Sequence, residues 1–279
     1  MTTSVRSFLS LSALVLVLAA SATAITWTTI DVPGSDATVV SSINATGDTA
    51  GWYTTGVTTH GFVLSGGTFT TVDYPSAVST MVIGINDNGD ISGQYYDGHM
   101  SHAFLRQAGT FTTIDPPGAR QVWGMGLNNS DDVVGFNYDQ AGNIHAFKYS
   151  AGNFTEVKAK GQFNEPSGIN NDGDITGTMF VGSSATEYGY LIKGTVLHTL
   201  NAGMTGTTAG GVNDKGQVMG TAFGRGAYHA FVFTNGKVVA MSVPGADKAS
   251  QGLGINNAGS IVGAYSDSSK HQHGFLRTR

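Results

Sequence analysis

The sequence contains no cysteine, and only 12% of its 279 residues are charged, against roughly 25% in average soluble proteins. Without cysteine, the chain has no disulfide, thiol nucleophile, Fe–S cluster or cysteine-linked lipid anchor. The net charge of −5 excludes the basic excess that nucleic acids or anionic membrane surfaces attract. Because 40% of the residues are hydrophobic, the chain nevertheless has enough apolar mass for a core.

The first 24 residues differ from the rest of the chain. Arg6 is the only charge before an apolar run from Phe8 to Ala20, and small residues follow at Ala22-Thr23-Ala24. This order is typical of a secretory signal peptide, so we predict that residues 1–24 are removed and that residues 25–279 form the mature domain. The run is too short to span a bilayer of about 30 Å. We therefore expect a secreted or periplasmic protein without membrane insertion.

The mature chain is built from a repeat of 42 or 43 residues. An aliphatic residue followed by asparagine recurs six times, and a glycine lies seven residues after each asparagine. The asparagines are Asn44, Asn86, Asn128, Asn170, Asn213 and Asn256. A third element, a His-small-aromatic triplet, follows in five copies, as at His102-Ala103-Phe104, and Tyr188-Gly189-Tyr190 replaces it in the fourth copy. A fixed period of this length indicates a repeat architecture.

Each repeat is predicted to form four short strands. In the second copy, residues 81–86 form an apolar strand, a turn ends at Gly89, and strands follow at 90–96, 102–106 and 111–115. The turn position occupied by Gly89 requires positive φ, which glycine adopts freely. The recurrent mid-strand glycine and the triplet aromatic are expected to pack together, since a glycine in a strand marks close approach by another group.

Four strands in about 42 residues are typical of one blade of a β-propeller. The chain begins with a strand at 27–31 that has no partners in its own repeat, and it ends after the third strand of the last repeat. We therefore predict an all-β, six-bladed propeller in which the N-terminal strand completes the last blade. A parallel β-solenoid is the alternative.

The same motifs resemble a known family. The unit Gly-Ile-Asn-x-x-Gly-x-Ile-x-Gly, followed by His-Ala-Phe-Leu and Gly-x-Phe-x-x-Ile-Asp-x-Pro-Gly, is similar to the repeat of bacterial extracellular HAF-repeat proteins. The resemblance covers residues 25–279 and is weakest at Tyr188-Gly189-Tyr190. It implies export and a repeated β-architecture, and it implies no particular activity.

The recurrent histidines and turns are not predicted to form metal sites. Histidines on neighbouring blades would lie about 15 Å apart with a strand spacing of about 4.8 Å, whereas shared Zn–N bonds need about 2.1 Å. We expect each histidine, at the start of its strand, to make a structural hydrogen bond to a neighbouring blade or turn, as Tyr188 can also do. Turns such as 86–90 resemble the start of a calcium loop, but the equivalent turn at 256–260 contains no acid. No cofactor is therefore expected, with calcium at one or two turns as the alternative.

The sequence contains no catalytic signature. It lacks a Gly-x-Ser-x-Gly elbow, a His-Glu-x-x-His motif and a phosphate-binding loop with lysine. Glutamate occurs only at Glu156, Glu165 and Glu187. An enzyme is thus the less favoured reading.

Loop variability locates the candidate ligand site. The turns after strands one and three are short and uniform, whereas two sets of connections vary: the loops between strands two and three, and the links from strand four to the next repeat. Alternating strand direction places both variable sets on one face, which we call the variable face. The candidate ligand-binding residues there, some at the expected channel mouth, are Asp36, Met81, Tyr96, Asp97, Arg120, Trp123, Tyr138, Asp139, Glu165, Arg225, Tyr228, Lys248 and Gln251.

Two functions fit these residues. The first is a secreted, non-catalytic binding or scaffolding protein, monomeric, whose partner is a carbohydrate or an extracellular protein. The second is an exported hydrolase or lyase with carboxylates at the channel mouth. A carboxylate pair with raised pKa in a deep pocket would favour the enzyme.

Overall fold

The structure is a computed structural model that describes residues 24–159, 163–182, 186–224 and 226–279. These residues form 24 β-strands and no helix, as the all-β prediction requires. Residues 1–23, which make up nearly all of the predicted signal peptide, lie outside the described residues, as does Arg225. Within the described ranges, no helix has the length and apolar character needed to cross a membrane.

One strand precedes the repeats, and each repeat then contributes strands in the same order. The first strand is β1 (Thr26–Ile30). The first repeat forms β2 (Ala37–Ile43), β3 (Thr49–Thr55), β4 (Thr58–Ser65) and β5 (Thr68–Val72). The second forms β6 (Ser79–Ile85), β7 (Ile91–Tyr96), β8 (Ser101–Gln107) and β9 (Thr110–Thr113). The third forms β10 (Gln121–Leu127), β11 (Val133–Tyr138), β12 (Ile144–Ser150) and β13 (Asn153–Glu156). The fourth forms β14 (Phe163–Ile169), β15 (Ile175–Val181), β16 (Thr186–Lys193) and β17 (Val196–Leu200). The fifth forms β18 (Gly206–Val212), β19 (Val218–Gly224), β20 (Ala227–Thr234) and β21 (Lys237–Ala240). The last forms β22 (Ala249–Ile255), β23 (Ile261–Ser266) and β24 (Gln272–Thr278).

The strands pair as repeated antiparallel groups of four, which we call the first to sixth sheets in chain order. The sixth sheet consists of β22, β23, β24 and β1, because β1 pairs with β24 from Thr26 opposite Thr278 to Ile30 opposite Gly274. Single parallel bridges join the fifth, sixth and first sheets into one twelve-stranded sheet. The second, third and fourth sheets are separate.

The core contains the predicted pairing of glycine with the triplet aromatic. Gly93 on β7 lies opposite Phe104 on β8, and a Cβ at Gly93 would lie 3.0 Å from the Phe104 ring. The same relation holds in the other five sheets, with Tyr190 as the aromatic in the fourth. A Cβ at these glycines would also collide with the main-chain oxygen of the adjacent first strand. The aromatic side chains, which are nearly or fully buried, therefore require glycine beside them.

Apolar clusters cross from each sheet to the next. One cluster joins Ala50 and Val72 of the first sheet to Val82, Ile91 and Phe104 of the second. The other clusters repeat this arrangement, and one places Val262 of the sixth sheet against Val40 and Phe62 of the first. Adjacent sheets therefore bury their faces against each other, which is the main source of apolar stabilisation in such a fold.

Candidate functional site

The six recurrent asparagines form a closed ring of hydrogen bonds. Each is almost fully buried, and its Nδ2 donates to the main-chain oxygen of the equivalent asparagine in the next repeat at 2.9–3.3 Å. The last of these bonds joins Asn256 to Asn44. Inside its own turn, Asn86 Oδ1 accepts from the amides of Asn88 and Asp90 at 3.0 and 2.9 Å. The asparagine therefore shapes its own turn and also links neighbouring repeats.

The next residue of each turn forms an outer, open ring. The main-chain N–H of Ala45, Asp87, Asn129, Asn171 and Asp214 donates in turn to the side-chain Oδ1 of the equivalent residue in the following repeat at 2.7–2.9 Å. Ala45 has no side-chain acceptor, so a sixth bond of this kind is not possible. Burial raises the pKa of Asp214, but hydrogen bonds from Asn257 and Asn171 outweigh it and lower that pKa overall.

The turn positions predicted to adopt positive φ do so. Gly89 has φ of 80° and Asp131, which replaces glycine in the third repeat, has φ of 60°. In the turn at 86–90, which resembles the start of a calcium loop, Asn86 Oδ1 already accepts two main-chain N–H groups. No group of three or more His, Asp or Glu in the described ranges is arranged to hold a metal ion.

A central channel of about 420 Å³ runs between the first strands of the repeats. Each of these strands carries a register shift, for example between Val82 and Gly84, which is a β-bulge. The bulged residues Ser41, Ile83, Met125, Ser167 and Leu253 line the channel. Sequence reasoning missed these residues, because a bulge leaves no distinct signal in the repeat apart from the glycine that follows it in most copies.

The predicted ring at the channel mouth is only partly assembled. Gln251, with Val39 and Thr208 at equivalent positions, lines the channel, together with Trp52 of β3. Met81, Trp123 and Glu165 occupy the same register position on their strands but do not line it. The sixfold pattern at this position is therefore broken in the structure.

Trp123 belongs to an aromatic cluster on the third sheet. Its ring stacks on Phe136 at 5.0 Å and meets Tyr138 edge-on at 5.4 Å. The exposed Arg120 is adjacent, and its amide donates to the Tyr138 carbonyl at 2.8 Å. Three of the candidate residues, Arg120, Trp123 and Tyr138, are therefore brought together.

The two loop aspartates on the candidate list organise their own loops. Asp97 Oδ1 accepts from the amides of His99 and Met100 at 2.7 and 2.8 Å, and these bonds lower the pKa of Asp97 to about 2. Asp139 binds the Asn143 side chain and amide in the same way, which also lowers its pKa. Both carboxylates remain ionised and already have hydrogen-bond partners.

The remaining candidates are distributed around the variable face. Asp36 accepts from the amide of Gly56 at 2.7 Å. Met81 Sδ lies 3.2 Å from Gln94 Nε2. Tyr96, Tyr228 and Lys248 are exposed, and the Tyr228 amide donates to the Lys248 carbonyl at 2.8 Å.

Glu165 has a perturbed carboxyl group. Burial raises its pKa, and the charge of Glu187 raises it further. Glu165 lies opposite Thr178 on the fourth sheet, and Glu187 lies on the third strand of that sheet. Neither residue lines the channel, so the two carboxylates do not form a pair in its cavity.

Four of the five triplet histidines make structural hydrogen bonds, but their partners lie within their own sheet and its loops and not in a neighbouring sheet. Among the described residues, the ring of the fifth, His229, has no such partner. His102 Nδ1 is 2.6 Å from Asp115, which follows the fourth strand of that sheet, and its Nε2 is 3.3 Å from Asp97. His273 has the same relation to Asp31, just beyond β1, at 2.9 Å. Burial lowers the pKa values of His102 and His273, but the aspartate carboxylates outweigh this effect and raise both pKa values overall.

Exposed apolar side chains concentrate on the variable face. Of ten large hydrophobic residues that are exposed in the described part of the chain, seven lie in or beside its loops and links. They are Val57, Val78, Tyr96, Met100, Phe163, Val181 and Tyr228. These side chains are distributed over four of the sheets. The turns after the first strands, at the opposite face, contain the polar asparagine rings. The variable face carries most of the exposed apolar side chains and is therefore the candidate ligand surface.

The repeated four-stranded sheets around a channel define the protein as a member of the β-propeller class of folds. Virginiamycin B lyase from Staphylococcus aureus matches with a TM-score of 0.56 and 11% identity over 92% of this chain and 100% of its own. Aleuria aurantia lectin, solved in complex with Fucα1-6GlcNAc, matches with a TM-score of 0.53 and 9% identity over 86% and 91%.

A structure of the nidogen/laminin complex also matches, with a TM-score of 0.50 and 16% identity over 80% of this chain and 86% of that one. No family model and no curated protein matches the sequence. At these identities the likeness shows the fold alone.

Proposed function

We propose that the protein is an exported, closed six-bladed β-propeller of the HAF-repeat type that binds an extracellular partner without catalysis. The observation that carries the binding function is the concentration of exposed apolar residues on the variable face. The pairing of β1 with β24 supports closure of the propeller. The asparagine ring, which returns from Asn256 to Asn44, supports it as well.

The chemistry of the variable face favours a protein over a carbohydrate as the partner. Val57, Val78 and Met100 are exposed there, and methionine and aromatic residues are enriched at protein interfaces. Sugars instead stack on flat aromatic rings, of which the Trp123 cluster is the principal one here. The Aleuria aurantia lectin binds a carbohydrate and the nidogen/laminin structure is a protein complex, so both partner classes occur on this fold.

The loops of this face are fixed in advance of binding. Asp97 and Asp139 each hold their own loop through two main-chain hydrogen bonds. A preorganised loop loses less conformational entropy when a partner binds. In this proposal the protein binds its partner as a monomer and without a cofactor.

The test is a binding screen of the exported protein against glycan arrays and extracellular protein fractions, with and without calcium. The double variant Tyr96→Ser/Tyr228→Ser removes two exposed aromatics from the variable face. The control, Val196→Ser, removes an exposed apolar residue from the opposite face. We expect the double variant to weaken binding at least tenfold, which corresponds to about 1.4 kcal/mol, and the control to bind normally. Equal binding by all three proteins would exclude the variable face.

The raised pKa of Glu165 is the one observation that favours an enzyme. In a hydrolase or lyase, the carboxyl group of Glu165 would transfer a proton, which its raised pKa permits. Loss of a hydrolytic or eliminating activity in Glu165→Gln, with retention in Glu156→Gln, would support this second function.

A further inference from the structure

The fifth sheet contains a second cavity, of about 260 Å³, on the side that faces the link from the fourth sheet. Among the described residues that line it, His229 is the only ionisable one. The lining residues are Asn201, Ala202, Met204, Ala222, His229, Phe231, Val238 and Ala240. The cavity lies between sheets, beside the variable face.

Aromatic side chains fill the same place in the second sheet. Tyr74, from the preceding link, stacks on Tyr95 with ring centres 3.7 Å apart and planes at 5°. Phe111 meets the Tyr74 ring edge-on at 5.1 Å. Both tyrosine hydroxyls lie 2.9 Å from Thr113 Oγ1. Such stacked and edge-on pairs stabilise a packed interior.

Strand register establishes which residues of the fifth sheet take these positions. Tyr95 lies opposite His102, and Ala222 lies opposite His229. The triplet aromatic lies opposite Thr113 in the second sheet and opposite Ala240 in the fifth. Two residues earlier on these fourth strands stand Phe111 and Val238. Val72 lies opposite Gly61 of the first triplet, and Tyr74 comes two residues later. Leu200 lies opposite Gly189 of the fourth triplet, and Ala202 comes two residues later. Ala202, Ala222, Val238 and Ala240 therefore stand where the second sheet has Tyr74, Tyr95, Phe111 and Thr113.

His229 also lacks the ring that covers three of its counterparts. Tyr53 stacks on His60 at 5.2 Å and Tyr95 on His102 at 4.9 Å. The sixth sheet repeats the pair with Tyr265 and His273 at 5.1 Å. Opposite His229 there is only the methyl group of Ala222. The exposed imidazole face of His229 is therefore open to a ring from another molecule.

The carboxylate partner of the histidine is missing as well. Asp115 follows the fourth strand of the second sheet and binds His102, whereas the register places Ser242 at that position in the fifth sheet. Among the described residues, none makes an ion pair or hydrogen bond with the His229 ring. Its ring nitrogens are thus available to a hydroxyl group that enters the cavity.

We propose that this cavity binds a phenol ring, stacked on His229 and packed against Phe231. The fifth sheet lacks the three aromatic rings that the second sheet has at this place. Because three other sheets hold a tyrosine against the histidine, an external ring of that size would supply the missing contacts. The cavity lining includes none of the exposed apolar residues on which the proposed function rests, so the proposal does not depend on the partner that binds them.

The test uses p-cresol as the probe and the His229 ring protons as the reporter, followed by NMR. We expect a saturable shift of the His229 signal in the wild-type protein. Ala222→Tyr places a tyrosine inside the cavity and should weaken p-cresol binding at least tenfold. Ala222→Ser leaves the cavity open and should bind as the wild type does.

A second variant, Ala202→Tyr, fills the cavity from the link. It tests the same prediction if Ala222→Tyr does not fold. Absence of a saturable shift in the wild-type protein, or undiminished binding by both filled variants, would overturn the proposal. An equal shift of the exposed His271 would do the same. N-acetyltyrosinamide, tested in parallel, separates the two sources of the ring: binding of both probes indicates a partner's tyrosine side chain, and binding of p-cresol alone indicates a free phenolic compound.

Discussion

Asn256 donates a hydrogen bond of 2.9 Å from its side-chain Nδ2 to the main-chain oxygen of Asn44, across 212 residues of sequence. Five equivalent bonds connect the other repeats. This bond therefore joins the two ends of the repeat series through a buried polar contact. Each asparagine acts as acceptor within its own turn and as donor to the next, a combination that an amide provides and a carboxylate does not.

Replacement of this amide should destabilise the protein. In Asn256→Asp the oxygens still accept from Ala258 and Ser260, but the donor to Asn44 is lost and a carboxylate faces a carbonyl. We expect the free energy of unfolding to fall by about 1–3 kcal/mol, the cost of an unmade buried hydrogen bond. Urea denaturation measures it. The same substitution at the exposed Asn153 is the control, and an equal loss there would show that the ring bond contributes nothing specific.

Removal of the N-terminal strand should expose the last sheet. Deletion of residues 1–31 takes away β1 and leaves β24 as an unpaired edge, and exposed edges recruit other chains. We expect a lower melting temperature, aggregation, and faster hydrogen exchange at Gly274–Leu276, which lie opposite Ile30, Thr29 and Thr28. Deletion of residues 1–23 alone keeps β1 and should behave as the intact protein. Unchanged exchange at Gly274–Leu276 in the longer deletion would argue against closure.

The buried triplet aromatic should contribute more to the free energy of unfolding than a surface side chain does. Phe104 is fully buried and packs edge-on against Phe111 at 5.4 Å, so Phe104→Ala should cost about 3–5 kcal/mol of unfolding free energy. Lys237, exposed at the start of β21, is the control. Lys193 is less suitable, because its Nζ lies 3.6 Å from the buried Asp174 carboxylate. Similar midpoints for Phe104→Ala and Lys237→Ala would contradict the packing described above.

The histidine–aspartate pairs should make stability depend on pH. The pKa of His102 is raised above 6.5 in the folded protein, so its contribution is fully present below the unfolded pKa and is lost as pH rises through the folded pKa. Between pH 6 and pH 8.5, the melting temperature of the wild-type protein should therefore fall further than that of His102→Gln. Asp97, with pKa of about 2, stays ionised across this range. The control His229→Gln removes a histidine that has no carboxylate partner in the described part of the chain. An identical pH profile for both variants would contradict this origin of the pH dependence.

The repeat made the strands predictable almost to the residue. The strands expected at 81–86, 90–96, 102–106 and 111–115 are β6 to β9, because hydrophobic alternation and turn glycines are local signals. The same local logic predicted positive φ at Gly89 and Asp131 and the pairing of Gly93 with Phe104.

The candidate site was only partly predictable. Reasoning by repeat position placed Met81, Trp123 and Glu165 with Gln251 at the channel mouth, but only Gln251 lines the channel. Each side chain there depends on a bulge and on its neighbours across the sheet, and a shift of one residue turns a side chain to the other face. Loop aspartates such as Asp97 looked free in the sequence and proved to hold their own loops.

The sequence by itself determined the period, the four strands per repeat, the turn chemistry and the glycine–aromatic pairs, since all of these arise between residues close along the chain. The sequence also predicted that the N-terminal strand joins the last repeat, as β1 does by pairing with β24. Only the tertiary structure decided that Asn256 reaches Asn44 and that the fifth sheet has an open cavity beside His229. These contacts depend on how the sheets are oriented and packed against one another. That packing is set by the sum of many side-chain volumes across sheet interfaces, and no single repeat contains it.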